Sequence, residues 1–217
     1  MGINSACGII PVMANRDNHY EAAFEEYLRQ RQIPYIAVDE AKRAKLSGDS
    51  LKSLDFVVST AERRWLVDVK GRLFPSGTEQ KQYWKNWSPR EDLLALASWE
   101  RLFGEGFAGL FVFAYHVVGE LSPVPQERLF HFRERTYAFI GIPLAKYAPR
   151  ARRISPKWDT VAMSVSGFRK HARPIDTFLD SMLLDANSGD ANSSDMSSGN
   201  AKSGDVAEQE QRDQVTA

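Results

Sequence analysis

The chain has 217 residues, 43% of them hydrophobic, which suits one domain with a real core, and no apolar run nears the roughly 20 residues that span a bilayer. Cys7 is the only cysteine, so an intrachain disulfide is excluded, and with four histidines in all there is no Cys/His set for a structural zinc. The formal charge is zero, yet Asp185, Asp190, Asp195, Asp205, Glu208, Glu210 and Asp213 face only Lys202 and Arg212, which leaves −5 on the tail and +5 on residues 1–184.

A basic body with an acidic tail is compatible with a nucleic-acid partner, although many surfaces are mildly basic. A single cysteine fits a reducing cytoplasm. Residues 1–14 read as a flexible leader. They lack the basic start and apolar stretch of a signal peptide, and Met13, just ahead of the first strong pattern, is expected to be the functional start.

Residues 18–32 are expected to form an amphipathic helix, with Tyr20, Phe24, Tyr27 and Leu28 on one arc. Asn15 or Asp17 is the expected cap and Pro34 the stop. His19 falls on the outer side, as a cap or surface residue. A short strand follows at 35–38 and a charged loop at 42–50. Strands at 54–59 and 65–70 are joined by a link of hairpin length, 60–64. Residues 71–88 read as irregular. Ser88 and Pro89 look like a cap followed by proline at the first helical position, opening a helix over 90–103 that Gly104 ends. The apolar run 108–118 reads as a buried strand. Further strands are expected at 129–132, 137–140 and 161–165, and a short helix at 175–184. The order α-β-β-β-α-β defines an α/β domain, residues 15–184, with a mixed central sheet flanked by helices. Residues 185–217, rich in Ser, Asn, Gly, Asp and Gln and without an aromatic, read as a disordered acidic tail.

The sharpest signal is Leu54-Asp55-Phe56-Val57-Val58 followed by Trp65-Leu66-Val67-Asp68-Val69-Lys70-Gly71-Arg72. Alternation along a strand puts Asp68 and Lys70 on one face and Val67 and Val69 on the other. An acid and an amine on an otherwise apolar strand are costly to bury. A hairpin brings Asp55 beside Asp68, and two close carboxylates attract a divalent cation, magnesium where phosphates complete its shell. Lys70 is then placed to orient a water or stabilise charge on a phosphate. Glu21, at the border of the first helix's apolar face, is the helix carboxylate best placed to look across at the sheet, where it is expected to hold a second metal or a metal-bound water. The alternative is a surface hairpin in which Asp68 pairs with Lys70 or Arg72.

These residues resemble the PD-(D/E)XK phosphodiesterases. The pattern falls on Leu54-Asp55 and Asp68-Val69-Lys70, with Glu21 ahead on the first helix. The spacing around Glu21 is similar to that of archaeal Holliday-junction resolvases, over about residues 18–116. His19-Tyr20-Glu21-Ala22-Ala23-Phe24-Glu25 also resembles the string that names the bacterial HYExAFE family. Leu54 stands where the superfamily usually has proline. The resemblance implies a restriction-endonuclease-like αβββαβ core and a metal-dependent nuclease. Asp55, Asp68 and Glu21 would hold magnesium, with manganese as its substitute, and Lys70 would be catalytic. The implied partner is nucleic acid, DNA first and branched forms included. A homodimer suits the cutting of two strands.

Lys146, Arg150, Arg152, Arg153, Lys157, Arg169, Lys170 and Arg173 crowd one stretch, opposed mainly by Asp159. A phosphate-contacting surface and a solvated face are equally compatible with it. Tyr83, Trp84 and Trp87 interleave with Lys81, Lys85 and Arg90. Such aromatics can stack on unpaired bases, but Trp84 and Trp87 are expected first to cover a core edge, and Trp99 to lie in the core. The nucleic-acid contacts expected on this basis are Lys81, Lys85, Arg152, Arg153 and Lys157. His116 ends the buried strand without an evident partner, and His131 reads as structural. Gly-rich phosphate loops and G-x-S-x-G elbows are absent. Two rival readings are a catalytically inactive nucleic-acid-binding or scaffolding protein on the same fold, and an enzyme acting on a small phosphorylated molecule.

Overall fold

A computed structural model describes residues 18–38, 44–46, 49–78 and 81–179, which fall in the first of the chain's two units, Met1–Ser181. The expected leader 1–14, Cys7 and the expected tail 185–217 lie outside the described residues. The helices are α1 (His19–Gln30), α2 (Arg90–Phe103), α3 (Leu144–Tyr147), α4 (Val165–His171) and α5 (Asp176–Leu179). The first eight strands are β1 (Tyr35–Ala37), β2 (Ala44–Leu46), β3 (Asp49–Leu51), β4 (Phe56–Ser59), β5 (Arg64–Phe74), β6 (Ser76–Thr78), β7 (Lys81–Tyr83) and β8 (Ser88–Pro89). The remainder are β9 (Phe107–Val117), β10 (Phe130–Phe132), β11 (Arg135–Pro143), β12 (Arg152–Ser155), β13 (Thr160–Ala162) and β14 (Arg173–Pro174).

The central sheet runs β1-β4-β5-β9-β11-β10, with β14 added on β11. β5 and β9 are parallel, from Arg64↔Phe107 to Phe74↔Val117, and the other pairs in this sheet are antiparallel. A parallel pair needs a crossover, and α2 supplies it. Taken in chain order, α1, β1, β4, β5, α2 and β9 make an αβββαβ core around the mixed sheet. Alternation along the strands splits the apolar side chains between two faces. One face carries Leu66, Phe74, Phe111, Phe113 and Tyr115 with Leu96, Leu144, Tyr147 and Phe168 of the helices. The other carries Trp65, Val67, Val69, Leu110, Val112 and Ala114 with Phe24, Tyr27 and Leu28 of α1 and Leu179 of α5. No helix among the described residues is long and apolar enough to cross a membrane.

Several local expectations are corrected. The cap of α1 is Asn18, whose side chain accepts from the Tyr20 N–H at 3.1 Å. Ser88 is not a helix cap, because its hydroxyl donates to the Pro89 carbonyl; Pro89 itself holds the N-cap position of α2, without a side-chain cap bond. The expected loop 42–50 contains most of the antiparallel β2–β3 pair, from Ala44↔Leu51 to Leu46↔Asp49. Residues 71–74 continue β5 rather than turning irregular, because β9 runs beside them to its own end. Contact with a neighbouring strand overrides the poor strand preference of Gly71. β13 stops at Ala162, and Ser164 caps α4 by accepting from the Gly167 N–H at 3.1 Å. The sequence did not announce α3, α4, β12 or β14, each of seven residues or fewer.

Candidate active site

Asp68 and Lys70 lie on the β5 face shared with Leu66 and Phe74, 5% and 8% exposed. Asp55 comes one residue before β4. Its main chain is fixed by two bonds, its N–H donating to the Val67 carbonyl and its carbonyl accepting from the Val38 N–H, both at 2.9 Å. The β4–β5 register ends at Phe56↔Val67, and one further step sets Asp55 opposite Asp68. The Asp55 carboxylate, 3% exposed, accepts the Val69 N–H at 2.5 Å. The structure therefore brings three of the expected residues together, at the point where β4 stops flanking β5.

Two residues that the sequence reading missed complete the cluster. The Lys70 ammonium donates to Asp68 Oδ1 and to Asp92 Oδ2, the latter at 2.6 Å. The Lys52 ammonium donates to Asp92 Oδ1 at 2.7 Å. Lys52 is anchored in turn by its carbonyl, which accepts from Trp99 Nε1 at 2.8 Å. Charges thus alternate along Asp68, Lys70, Asp92 and Lys52. Asp92 had a legible signal: it stands in the first turn of α2 at helical spacing from the buried Ala95 and Leu96, an acid on the apolar stripe. Lys52 lies between β3 and β4 in no periodic pattern.

Burial acts to lower the Lys70 pKa, but the charges of Asp68, Asp92 and Asp55 outweigh it and hold the amine above the ordinary lysine range, so it stays protonated. Burial pushes the Asp68 carboxyl up, with the neighbouring Asp92 charge adding to it and Lys70 opposing. At Asp92 burial acts in the same upward sense, but Lys70 and Lys52 prevail and hold that carboxyl below the usual range.

Glu21 occupies the first turn of α1 and is buried, and its carboxylate accepts from the Asn18 side-chain amide. Its helix packs on the sheet face opposite to Asp68 and Lys70. The neighbouring Tyr20 ring lies against Gly71, one residue past Lys70.

No protein-family model matches the chain, and no curated protein matches it either. Among solved structures the chain is similar to the Holliday junction resolvase of the archaeal hyperthermophile Archaeoglobus fulgidus. The identity is 12%, the match covers 75% of this chain and 98% of that one, and the TM-score is 0.45.

The carboxylates beside Lys70 are oxygen donors of the kind magnesium takes. Among the described residues, however, no group of three or more His, Cys, Asp or Glu side chains is gathered closely enough to hold a metal ion; ammonium groups bridge the acids instead. A shallow pocket of about 250 Å³ opens beside this cluster, with Lys52, Arg90, Glu91 and Ala95 in its lining.

Of the expected nucleic-acid contacts, Lys85, Arg152, Arg153 and Lys157 are exposed, while the Lys81 side chain lies outside the described residues. Arg153 pairs with Asp159 at 3.1 Å. Trp84 packs against the core as expected, and so does Trp99, half-buried. Trp87 does not: it is 36% exposed and carries the Arg72 guanidinium over its ring at 3.8 Å. His19 is not on the outer side, since its Nδ1 lies 2.8 Å from the Tyr137 hydroxyl and its ring meets His116 edge-on. His116 thus gains a partner that the sequence did not show. His131 is exposed and lies within 3.1 Å of the hydroxyl of Thr136, its partner across the β10–β11 pair.

Proposed function

We propose that the chain is a metal-dependent nuclease that hydrolyses phosphodiester bonds in nucleic acid, DNA first. The observation that carries this reading is the joint burial of Asp55, Asp68 and Lys70 on one sheet face, where β4 ends and β5 runs on. Stranding two acids and an amine there costs several kcal/mol unless a partner compensates. The likeness of residues 18–116 to the PD-(D/E)XK pattern and of residues 19–25 to the HYExAFE string supports the same reading.

Asp55 and Asp68 would hold the magnesium; Glu21, whose helix packs on the opposite sheet face, is left out of its shell. Magnesium, when bound, supplies Lewis-acid polarisation of a phosphate oxygen. The Lys70 ammonium is held between Asp68 and Asp92. It donates to phosphate oxygens and stabilises the charge that grows on them. Asp92 is a positioning residue that aims Lys70 through the 2.6 Å bond. The working unit is the domain 15–184, in the cytoplasm, paired as a homodimer where both strands are cut.

The test is cleavage of plasmid and branched DNA in magnesium by the wild type, Asp68→Ala and Lys70→Ala. Each substitution is expected to slow cleavage by about 10²–10³-fold. No wild-type cleavage of any DNA or RNA form, or cleavage untouched by both substitutions, contradicts the proposal.

One observation favours a second reading. The run Asp68–Lys70–Asp92–Lys52 neutralises its own charges without a metal. A non-catalytic nucleic-acid-binding protein would need no more than that. Such a protein binds DNA equally well in chelator and in magnesium and never cuts it.

A further inference from the structure

Two large apolar side chains stand out in solvent close to the candidate site, Trp158 at 71% exposure and Ile154 at 57%. With Trp87, Pro89 and Thr160 they line an open groove of about 480 Å³, within the range of small-ligand sites. The groove is built on the small sheet β12-β13-β8, and its walls are held in place. The Trp158 N–H donates to the Ser155 hydroxyl at 3.3 Å, and the Arg90 N–H donates to the Asp159 carbonyl at 2.8 Å, tying the β12–β13 turn to the start of α2.

Cations ring these aromatic walls. The Arg72 guanidinium lies on the Trp87 ring and the Lys157 ammonium sits 5.3 Å from the Trp158 ring. Arg152 and Arg153 are exposed on β12, and Arg90 is exposed at the start of α2, next to Pro89. The opposing acids are Glu91 and Asp159, and Asp159 is paired with Arg153. The groove is linked to the candidate site through Arg72, which lies on the Trp87 ring, and through the start of α2. Arg72 is two residues beyond Lys70 on the same strand face, and Pro89 is three residues ahead of Asp92. Arg72 Nε is buried and has no hydrogen-bond acceptor among the described residues.

We propose that this groove receives an unpaired nucleobase of a nucleic-acid strand. The base stacks against Trp87 and Trp158 while the flanking phosphates meet Arg153 and Lys157. The proposal rests on the nuclease reading for what brings a strand to Asp68 and Lys70, and it adds the substrate class: single-stranded or splayed nucleic acid. An alternation of flat aromatic base and anionic phosphate is what an apolar groove with a cationic rim complements. Trp158, exposed and out of the core, is free to be substituted without harm to the fold.

The experiment is fluorescence anisotropy in chelator with the whole chain, as wild type, Trp158→Ala and Trp158→Phe. Each is titrated against a labelled short oligothymidylate and against a strand of equal length made of abasic sites. The wild type is expected to bind the base-bearing strand at least about five-fold more tightly. Trp158→Ala removes that preference and leaves abasic binding unchanged, and Trp158→Phe restores most of it. Equal affinity for the two strands, no binding at all, or Trp158→Ala indistinguishable from wild type overturns the proposal. So does self-association that Trp158→Ala abolishes while oligonucleotide binding is unchanged, since the groove then seats a second copy. Base-dependent binding without cleavage in magnesium keeps the groove and removes the nuclease reading; cleavage lost in Asp68→Ala without base dependence does the reverse.

Discussion

Lys70 sits between two buried carboxylates, and that position decides what its amine can do. It donates to both, and it fills the space between Asp68 and Asp92 that a cation would otherwise compete for. Lys70→Met therefore leaves two buried acids without their shared counter-charge. Urea unfolding should show a loss of about 3–5 kcal/mol, and adding Asp68→Asn and Asp92→Asn together should recover part of it. The same Lys70→Met protein should bind manganese more tightly than the wild type while cutting far more slowly. Weaker binding would mean that the ammonium does not oppose the metal. At this scale Asp55, Asp68 and Lys70 were legible because strand alternation puts Asp68 and Lys70 on one face and the hairpin aligns Asp55 with them. Asp92 carried a weaker signal, its helical spacing from Ala95 and Leu96 on the apolar stripe of α2. Lys52 could not be read, since only the fold sets it against α2.

The meeting of α1 with the sheet depends on a close approach. A Cβ added at Gly71 would lie 2.1 Å from the Tyr20 ring, so Gly71→Ala must displace that ring and the helix end beside Glu21. A loss of about 1–3 kcal/mol is expected in thermal or urea unfolding, smaller when Tyr20→Ala is combined with it. On the same face, burial and then the Arg135 charge hold the His116 pKa below its ordinary value. The unfolded chain then binds the proton more readily than the folded one. Stability gained from neutral His116 is complete above the unfolded value near 6.5 and drains away as pH falls through the window beneath it. His116→Gln should flatten the rise of the urea midpoint between about pH 5 and pH 7. An unchanged slope would mean that other groups set it. Among the elements, α2 was readable to the residue because its apolar spacing and Gly104 are local signals. The extension of β5 through Phe74 was not, because it is imposed by β9, a distant strand. The short segments between 144 and 174 take their form from the faces they cover, for which local pattern carries little information.

The described residues form a mixed sheet with a core on each face, and the candidate site interrupts one of those cores with charge. The αβββαβ order was legible from the sequence because each long element carried its own periodicity. The partition of Glu21 from Asp68 and Lys70 to opposite faces was not, because helix spacing alone does not say which face a helix covers. The +5 of residues 1–184 should make nucleic-acid affinity fall steeply with salt; binding that is flat in salt would point to another class of partner. The central claim is that Asp55 and Asp68 form a place for a hard cation. Calorimetric titration of manganese into the whole chain tests it most directly, beside Asp55→Asn and Asp68→Asn, which preserve side-chain shape. A metal-holding site gives saturable uptake by the wild type that both substitutions abolish. No uptake by the wild type, or uptake undiminished in both variants, would leave the acids as a closed ion cluster and contradict the claim.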